Sequence, residues 1–227
     1  MSSRVLPVVA ILAGLALVVL VVLLLRRENP AGVSDQPIAV AADTIDPTNE
    51  GRLISVAGTL RADSQVVDTQ LGVAVEAIAL LRDVQMYQWQ ESCVAEACVQ
   101  APKWSADVID VTAFREHNAH ENPGDFPFAS ARFEADPIRL GAFVVDPALV
   151  VATIAARDKP VGLRDIHPNL EASFREQDGA LYSEAEAHTP AIGDLRVSYR
   201  VVPAEDVILV GIQIGDQLLA PPAFNSN

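Results

Sequence analysis

The side chains best suited to chemistry stand in two short stretches. Glu116, His117, His120 and Glu121 fall close together, and Cys93 and Cys98 are the only cysteines of the chain. Two imidazoles three positions apart meet on one face of a helix and can share a zinc ion. A neighbouring carboxylate can complete the shell or act as general base, which is the chemistry of a metal-dependent hydrolase. The surrounding REHNAHENPGDFPF carries Pro123, Gly124 and Pro127 and reads as a loop, where that facing is not built in. The competing reading is a hydrogen-bonded turn, with Asn122-Pro123-Gly124 at its corner and His120 as a structural donor. A C-x4-C spacing without a second pair is a poor zinc signature. Across a hairpin loop the two cysteines can reach disulfide geometry if their Cα atoms come within about 7 Å. A disulfide in an oxidising compartment, two unpaired thiols, and a metal or redox role are all open. No G-x-S-x-G and no Gly-rich phosphate loop occurs. No catalytic residue, cofactor or metal is therefore assigned. Asp194 and Arg196, two apart at the start of a strand, read as a structural ion pair.

A third stretch stands out by composition. LLRDVQMYQWQESC, residues 80–93, holds Met86, Tyr87 and Trp89 in a chain with only two Trp and three Tyr. On a strand, Val84 and Met86 point to one side and Tyr87 and Trp89 to the other. The segment is then either a core strand covered on both faces or a strand that offers its rings as a binding surface.

The elements that must position these residues are mostly strands. GRLISVAGTLRA (51–62) alternates between Gly51 and Asp63-Ser64. A strand over about 77–90 follows, with a helix as the competing reading for 72–82. Short strands at about 85–92 and 98–105 flank the cysteine loop, and 107–114 is a further strand candidate. Strands are expected around 130–134 and 138–145. A helix follows, capped by Asp146 with Pro147 at its first position, and runs to about Arg157. Asp178-Gly179 marks a hairpin turn. DLRVSYRVV (194–202) and DVILVGIQIG (206–215) complete the set. The expected fold class is α+β, β-dominated, preceded by one N-terminal transmembrane helix.

Val5 to Leu25 is an uncharged apolar run of 21 residues. As a helix it spans roughly 30 Å, the thickness of a hydrocarbon core. A cleaved leader would have a shorter apolar core and a small-residue site close behind it, whereas Arg26 and Arg27 follow here. The expected organisation is a tail at 1–4, a span at 5–25, a linker at 26–49, one domain at 50–220 and a tail at 221–227. From Glu28 onward, thirteen basic and thirty acidic residues leave a charge of −17. That charge repels phosphate backbones and excludes nucleic acid as a partner. Only Lys103 and Lys159 are lysines, against fourteen arginines, a bias that suggests a bacterial source. Lys and Arg near the run lean toward a cytoplasmic domain, and the cysteines lean toward the periplasm.

EGRLISVAGTLRA, GVAVEAIALLRDVQMYQWQE, HNAHENPGDFPFASARFEADPIRLGAF and TPAIGDLRVSYRVVP occur in an order that resembles the transmembrane protein 43 (LUMA) family over about residues 50–220. The similar residues include Glu50, Arg82, Met86, Tyr87, Trp89, His120, Asn122, Gly141, Asp194 and Arg196. The resemblance implies a non-enzymatic membrane protein with one N-terminal span and a large domain on the lumenal or periplasmic side; with the bacterial composition, the expected place is the bacterial inner membrane with the domain in the periplasm. It implies membrane or envelope proteins, or a second copy of the chain, as partners, and the lipid bilayer as partner of residues 5–25. Animal members organise membrane protein complexes in the endoplasmic reticulum and inner nuclear membrane, and the family supplies no catalytic residues. Members continue into several C-terminal spans. This sequence ends at Asn227 without them and reads as a short form or a fragment. The cysteine pair departs from the family pattern, and Gln85 stands where Glu is common.

Overall fold

The computed structural model describes residues 36–115, 120–183 and 188–221. Strict alternation makes β2 (Leu53–Ala62) the first long strand, with Ile54, Val56 and Leu60 fully buried and Ala57, Thr59 and Arg61 outward. Its register partner is β14 (Asp206–Ile214), which pairs antiparallel from Leu53↔Ile212 to Thr59↔Asp206. β14 turns into β15 (Gln217–Leu219), which runs parallel to β9 (Phe143–Val145). β9 returns through Gly141 into β8 (Ile138–Leu140), and β8 pairs with the far end of β2. The ladder thereby closes on itself as a small five-stranded barrel. β1 (Ile38–Val40) adds to β2 in parallel. The helix α1 (Pro147–Thr153), capped by the Asp146 carboxylate with Pro147 at its start, lays Leu149 and Val150 into the core.

A second sheet is built around β5 (Ala79–Val94), the longest strand at 16 residues. One side pairs with β13 (Leu195–Val202). The other pairs first with β7 (Ala131–Glu134) and then with β6 (Ala97–Ser105). β12 (Ala180–Tyr182) and β10 (Arg157–Lys159) share the outer edge of β13, and β11 (Arg175–Gln177) lies beyond β12. A small hairpin of β3 (Val66–Val67) and β4 (Ala74–Val75) leads into β5. The inward residues of this sheet, among them Leu80, Val84, Met86, Leu181, Val197 and Tyr199, join the barrel interior in one continuous hydrophobic cluster.

The expected fold class is corrected by these elements. The described residues are β-dominated with a closed barrel, and α1 is seven residues long, so the fold is not α+β. No helix among the described residues is long and apolar enough to cross a membrane. Residues 5–25, where the sequence places a transmembrane helix, lie outside the described residues, as does the tail at 1–4. Residues 38–40, read as linker, form a strand, too short to show a period on its own. The stretch 107–114 is not a strand. The Asp110 carboxylate accepts from the Thr112 N–H and hydroxyl, and this local closure winds Val111–Ala113 into a 3-10 turn. The strand expected at 138–145 breaks in two at Gly141, whose φ of +63° suits glycine and whose missing Cβ would lie 2.1 Å from the Ala42 carbonyl oxygen. α1 ends at Thr153 rather than near Arg157, because Arg157–Lys159 is drawn into pairing with β13.

Candidate interaction face

Alternation along β5 sorts its side chains onto two faces. Arg82, Val84, Met86 and Gln88 are buried, while Asp83, Gln85, Tyr87 and Trp89 are half-buried on the opposite face. Met86 is therefore core, and Tyr87 and Trp89 belong to the outer surface of the sheet. In register, Tyr87 stands opposite Trp104 of β6, with ring centroids 5.3 Å apart and planes tilted by 55°. Trp104 meets Tyr182 of β12 edge-on at 5.9 Å. The Arg196 guanidinium lies over the Trp104 ring at 5.2 Å, and its Nε donates to Gln85 Oε1 at 2.8 Å. Four of the five Tyr and Trp residues thus lie on one face, partly open to solvent, with an arginine held among them. Beside Tyr182 and Arg196, an open cleft of about 330 Å³ is lined by Gln85, Asp158, Asp178 and Ser198.

The loop after β6 extends this face. His120 stacks on Trp89, with centroids 3.5 Å apart and planes 15° from parallel. Asn122 does more. Its Oδ1 accepts the Trp89 N–H at 2.8 Å, and its Nδ2 donates to the carbonyls of Trp89 at 3.0 Å and Ile109 at 3.1 Å. Just before it, Tyr87 exchanges backbone bonds with Gly193 and Asp194. The amide of one side chain therefore continues the ladder where the neighbouring backbone stops, so Trp89 leaves no unpaired group. Inside the sheet, Gln88 works in the same way, donating to the Asp107 carbonyl and accepting from the Ile109 N–H.

Beyond Trp89, β5 and β6 continue as a two-stranded arm. Cys93 stands directly opposite Cys98, and the two are joined by a disulfide with Cα atoms 4.0 Å apart. Tyr87 and Trp89 direct their backbone groups away from β6. By the period of two, Glu91 and Cys93 do the same, so Cys93:Cys98 is a narrow, non-hydrogen-bonded pair where side chains approach closely. A two-residue turn, Ala95-Glu96, closes the arm, with Ala95 at φ +53°. The arm is therefore longer, and its turn tighter, than the loop of six residues read from the sequence.

Beneath the face lies a polar node. Asp68, fully buried, binds the Arg82 guanidinium at 2.7 and 2.9 Å and accepts the Tyr199 hydroxyl at 2.7 Å. Its Oδ1 also accepts the N–H groups of Gln70 and Leu71. Arg82, 2% exposed, completes its shell with the Gln70 side chain and the Ala129 carbonyl. Burial, and then the Asp68 carboxylate to which it donates, push the Tyr199 phenol far above its ordinary 10.0. Every arm of this node is occupied, so it locks β5 to β13 and the β3–β4 turn rather than offering a site. Arg82 carries a signal only through the family resemblance, and Asp68 and Tyr199 carry none in the sequence.

The other expected residues fall as follows. His117 and Glu116 lie outside the described residues. Glu121 is exposed. Asp194 and Arg196 do not pair: the Asp194 carboxylate accepts from the Ala191 N–H and the Ser183 hydroxyl, while Arg196 turns to Gln85 and Trp104. Positions two apart share a face only within a strand, and Asp194 lies just before β13, beside the turn at Gly193 with φ +97°. Among the described residues, Glu91, Cys93 and Cys98 are the grouping with metal-ligand character.

Comparison with known proteins places the chain in context. The family model described as Transmembrane protein 43 matches residues 86–225. Transmembrane protein 43 of Homo sapiens is 27% identical over 208 residues, covering 80% of this chain and 51% of the human protein. The Mus musculus protein is 28% identical over 208 residues with the same coverage. The Drosophila melanogaster homolog is 23% identical over 186 residues, covering 75% of this chain and 48% of its own. The chain spans about half the length of the curated relatives it matches. No solved structure matches.

Proposed function

Because the chain belongs to the transmembrane protein 43 family, we propose that its β domain is a non-enzymatic module that holds membrane proteins together, with the aromatic–arginine face as its contact surface. The observation that carries this reading is the row of Tyr87, Trp104 and Tyr182 on a half-open sheet face, with Arg196 over Trp104 and Trp89 stacked on His120 beside it. Trp, Tyr and Arg are the side chains that most often dominate binding at protein interfaces. Their rings are large and rigid, so ordering them costs little entropy, and each keeps a polar atom for the partner. The cleft beside Tyr182 offers room for a partner side chain.

The same reading takes the apolar run 5–25 as the contact with the lipid bilayer of a bacterial inner membrane. It puts the domain in the periplasm, among envelope membrane proteins or other copies of itself. An oxidising periplasm is where the Cys93–Cys98 disulfide persists. The test uses the full chain in cells. A photo-crosslinking residue placed at Gln85 is expected to give discrete adducts in the membrane fraction. Trp104→Ala and Arg196→Ala are each expected to reduce them at least about tenfold, with the circular dichroism spectrum unchanged. Undiminished adducts in both variants, or none in the parent, would overturn the reading. An alkaline phosphatase fusion after Asn227 tests the side: activity in whole cells supports the periplasm, and inactivity of a well-expressed fusion refutes it.

A further inference from the structure

The arm of β5 and β6 carries a second feature, independent of the aromatic face. Glu91 and Cys93 share one face of β5, and Cys98 stands across the narrow pair on β6. A Glu91 carboxylate oxygen and the two sulfurs lie within 4.8 Å of one another. Glu91 is fixed rather than free: Gln100 Nε2 donates to its Oε1 at 2.8 Å, and the Arg115 N–H reaches both oxygens at 3.1 and 3.2 Å. Outer hydrogen bonds of this kind are what orient a ligating carboxylate. Two sulfurs bound to one tetrahedral zinc ion sit about 3.8 Å apart. Rotation about the Cα–Cβ bonds of two directly opposed cysteines opens their sulfurs to that separation without moving backbone. Cys93 is exposed, so a dithiol reductant and then a metal ion can both reach the sulfurs.

We propose that the arm is a redox-gated metal site: once the Cys93–Cys98 bond is reduced, Cys93, Cys98 and Glu91 bind one thiophilic d10 divalent cation such as zinc. In the first step a dithiol gives two electrons and two protons to the disulfide. The S–S bond breaks, two thiols form, and the dithiol leaves as a disulfide. In the second step the two thiols release their protons to solvent as the sulfurs bond to the metal, and the carboxylate fills a third position. The fourth position faces water. In the oxidised arm neither sulfur is a thiolate, and the site is closed to metal.

The experiment uses the full chain with cadmium as probe. The protein is reduced with dithiothreitol, freed of it without air, and titrated with cadmium alone, followed by zinc competition. The expected result is a sulfur-to-cadmium charge-transfer band in the ultraviolet that saturates at one ion per chain and is displaced by zinc. The oxidised chain and the Cys93→Ser, Cys98→Ser double variant show no band. Glu91→Gln weakens binding about tenfold or more, which is the loss that outer-shell changes alone can cause. Far-ultraviolet circular dichroism is recorded on every species. The proposal is overturned if dithiothreitol leaves the disulfide intact in the folded chain, or if reduction unfolds it. It is equally overturned if the reduced, folded chain gives no band, or if Glu91→Gln titrates like the parent.

Discussion

At the residue scale the buried Asp68 carboxylate holds the node together, accepting from Arg82, from Tyr199 and from two backbone N–H groups. Removing one member leaves a charge buried without its partner. Arg82→Met is therefore expected to cost about 3–5 kcal/mol in urea unfolding. Tyr199→Phe removes a neutral donor and costs less, about 1–3 kcal/mol, because Asp68 keeps Arg82. The raised Tyr199 pKa gives a further, signed prediction. The folded state holds the phenolic proton at pH values where the unfolded chain has lost it. That contribution is complete below about pH 10 and is lost as pH rises above it. The parent's urea midpoint should fall through that alkaline range, and Tyr199→Phe should fall less steeply. None of this is legible in the sequence. Asp68 and Tyr199 are 131 positions apart, and a lone Asp after two valines looks like an ordinary turn residue.

At the scale of elements, β5 is longer than any one neighbour, and side chains finish what the strands leave open. Asn122 stands in for a backbone unit beside Trp89, since an amide both accepts and donates. Asn122→Ala is expected to destabilise by about 1–3 kcal/mol. Asn122→Asp should not restore the loss, because a carboxylate can take the Trp89 N–H but cannot serve its carbonyl. Thermal unfolding of the pair checks both. The Asp-x-Thr turns at Asp46 and Asp110 give the acid-side counterpart. Hydrogen bonds from Thr48 and Thr112 hold these two carboxyls below their ordinary 3.8. Their contribution is present above that value and is lost as pH falls below it. Asp110→Asn keeps an acceptor and should flatten the acid side of the stability profile. Strands whose period of two is long, such as β2, β13 and β14, were readable from sequence. β1 is three residues long and β3 two, too short for a period of two to show, and pairing with β2 and with β4 is what makes them strands. The turn at 111–113 was misread because Asp110 and Thr112 close it locally while the residues themselves look β-prone. In the site, Tyr87 and Trp89 were singled out by rarity. Trp104, Tyr182 and Arg196 came from other strands, and register joined them.

For the molecule as a whole, barrel and sheet share one core, so they should unfold together. Residues 38–221 are expected to give one transition with coincident fluorescence and circular dichroism midpoints. Gly141 tests the shared closure. Its alanine variant meets the Ala42 carbonyl and a left-handed φ at once, and should lower that single midpoint by more than about 1 kcal/mol. The closed barrel also has a consequence in time. β2 takes its main partner, β14, from the other end of the chain, with Thr59 hydrogen-bonded to Asp206 across 147 positions. At synthesis rates of about 5–20 residues per second, β2 therefore waits on the order of 10 s with its β14-facing edge bare before the seam can close. The β5–β6 hairpin, by contrast, has its partner a two-residue turn away. The arm can therefore form while the barrel seam still waits for β14.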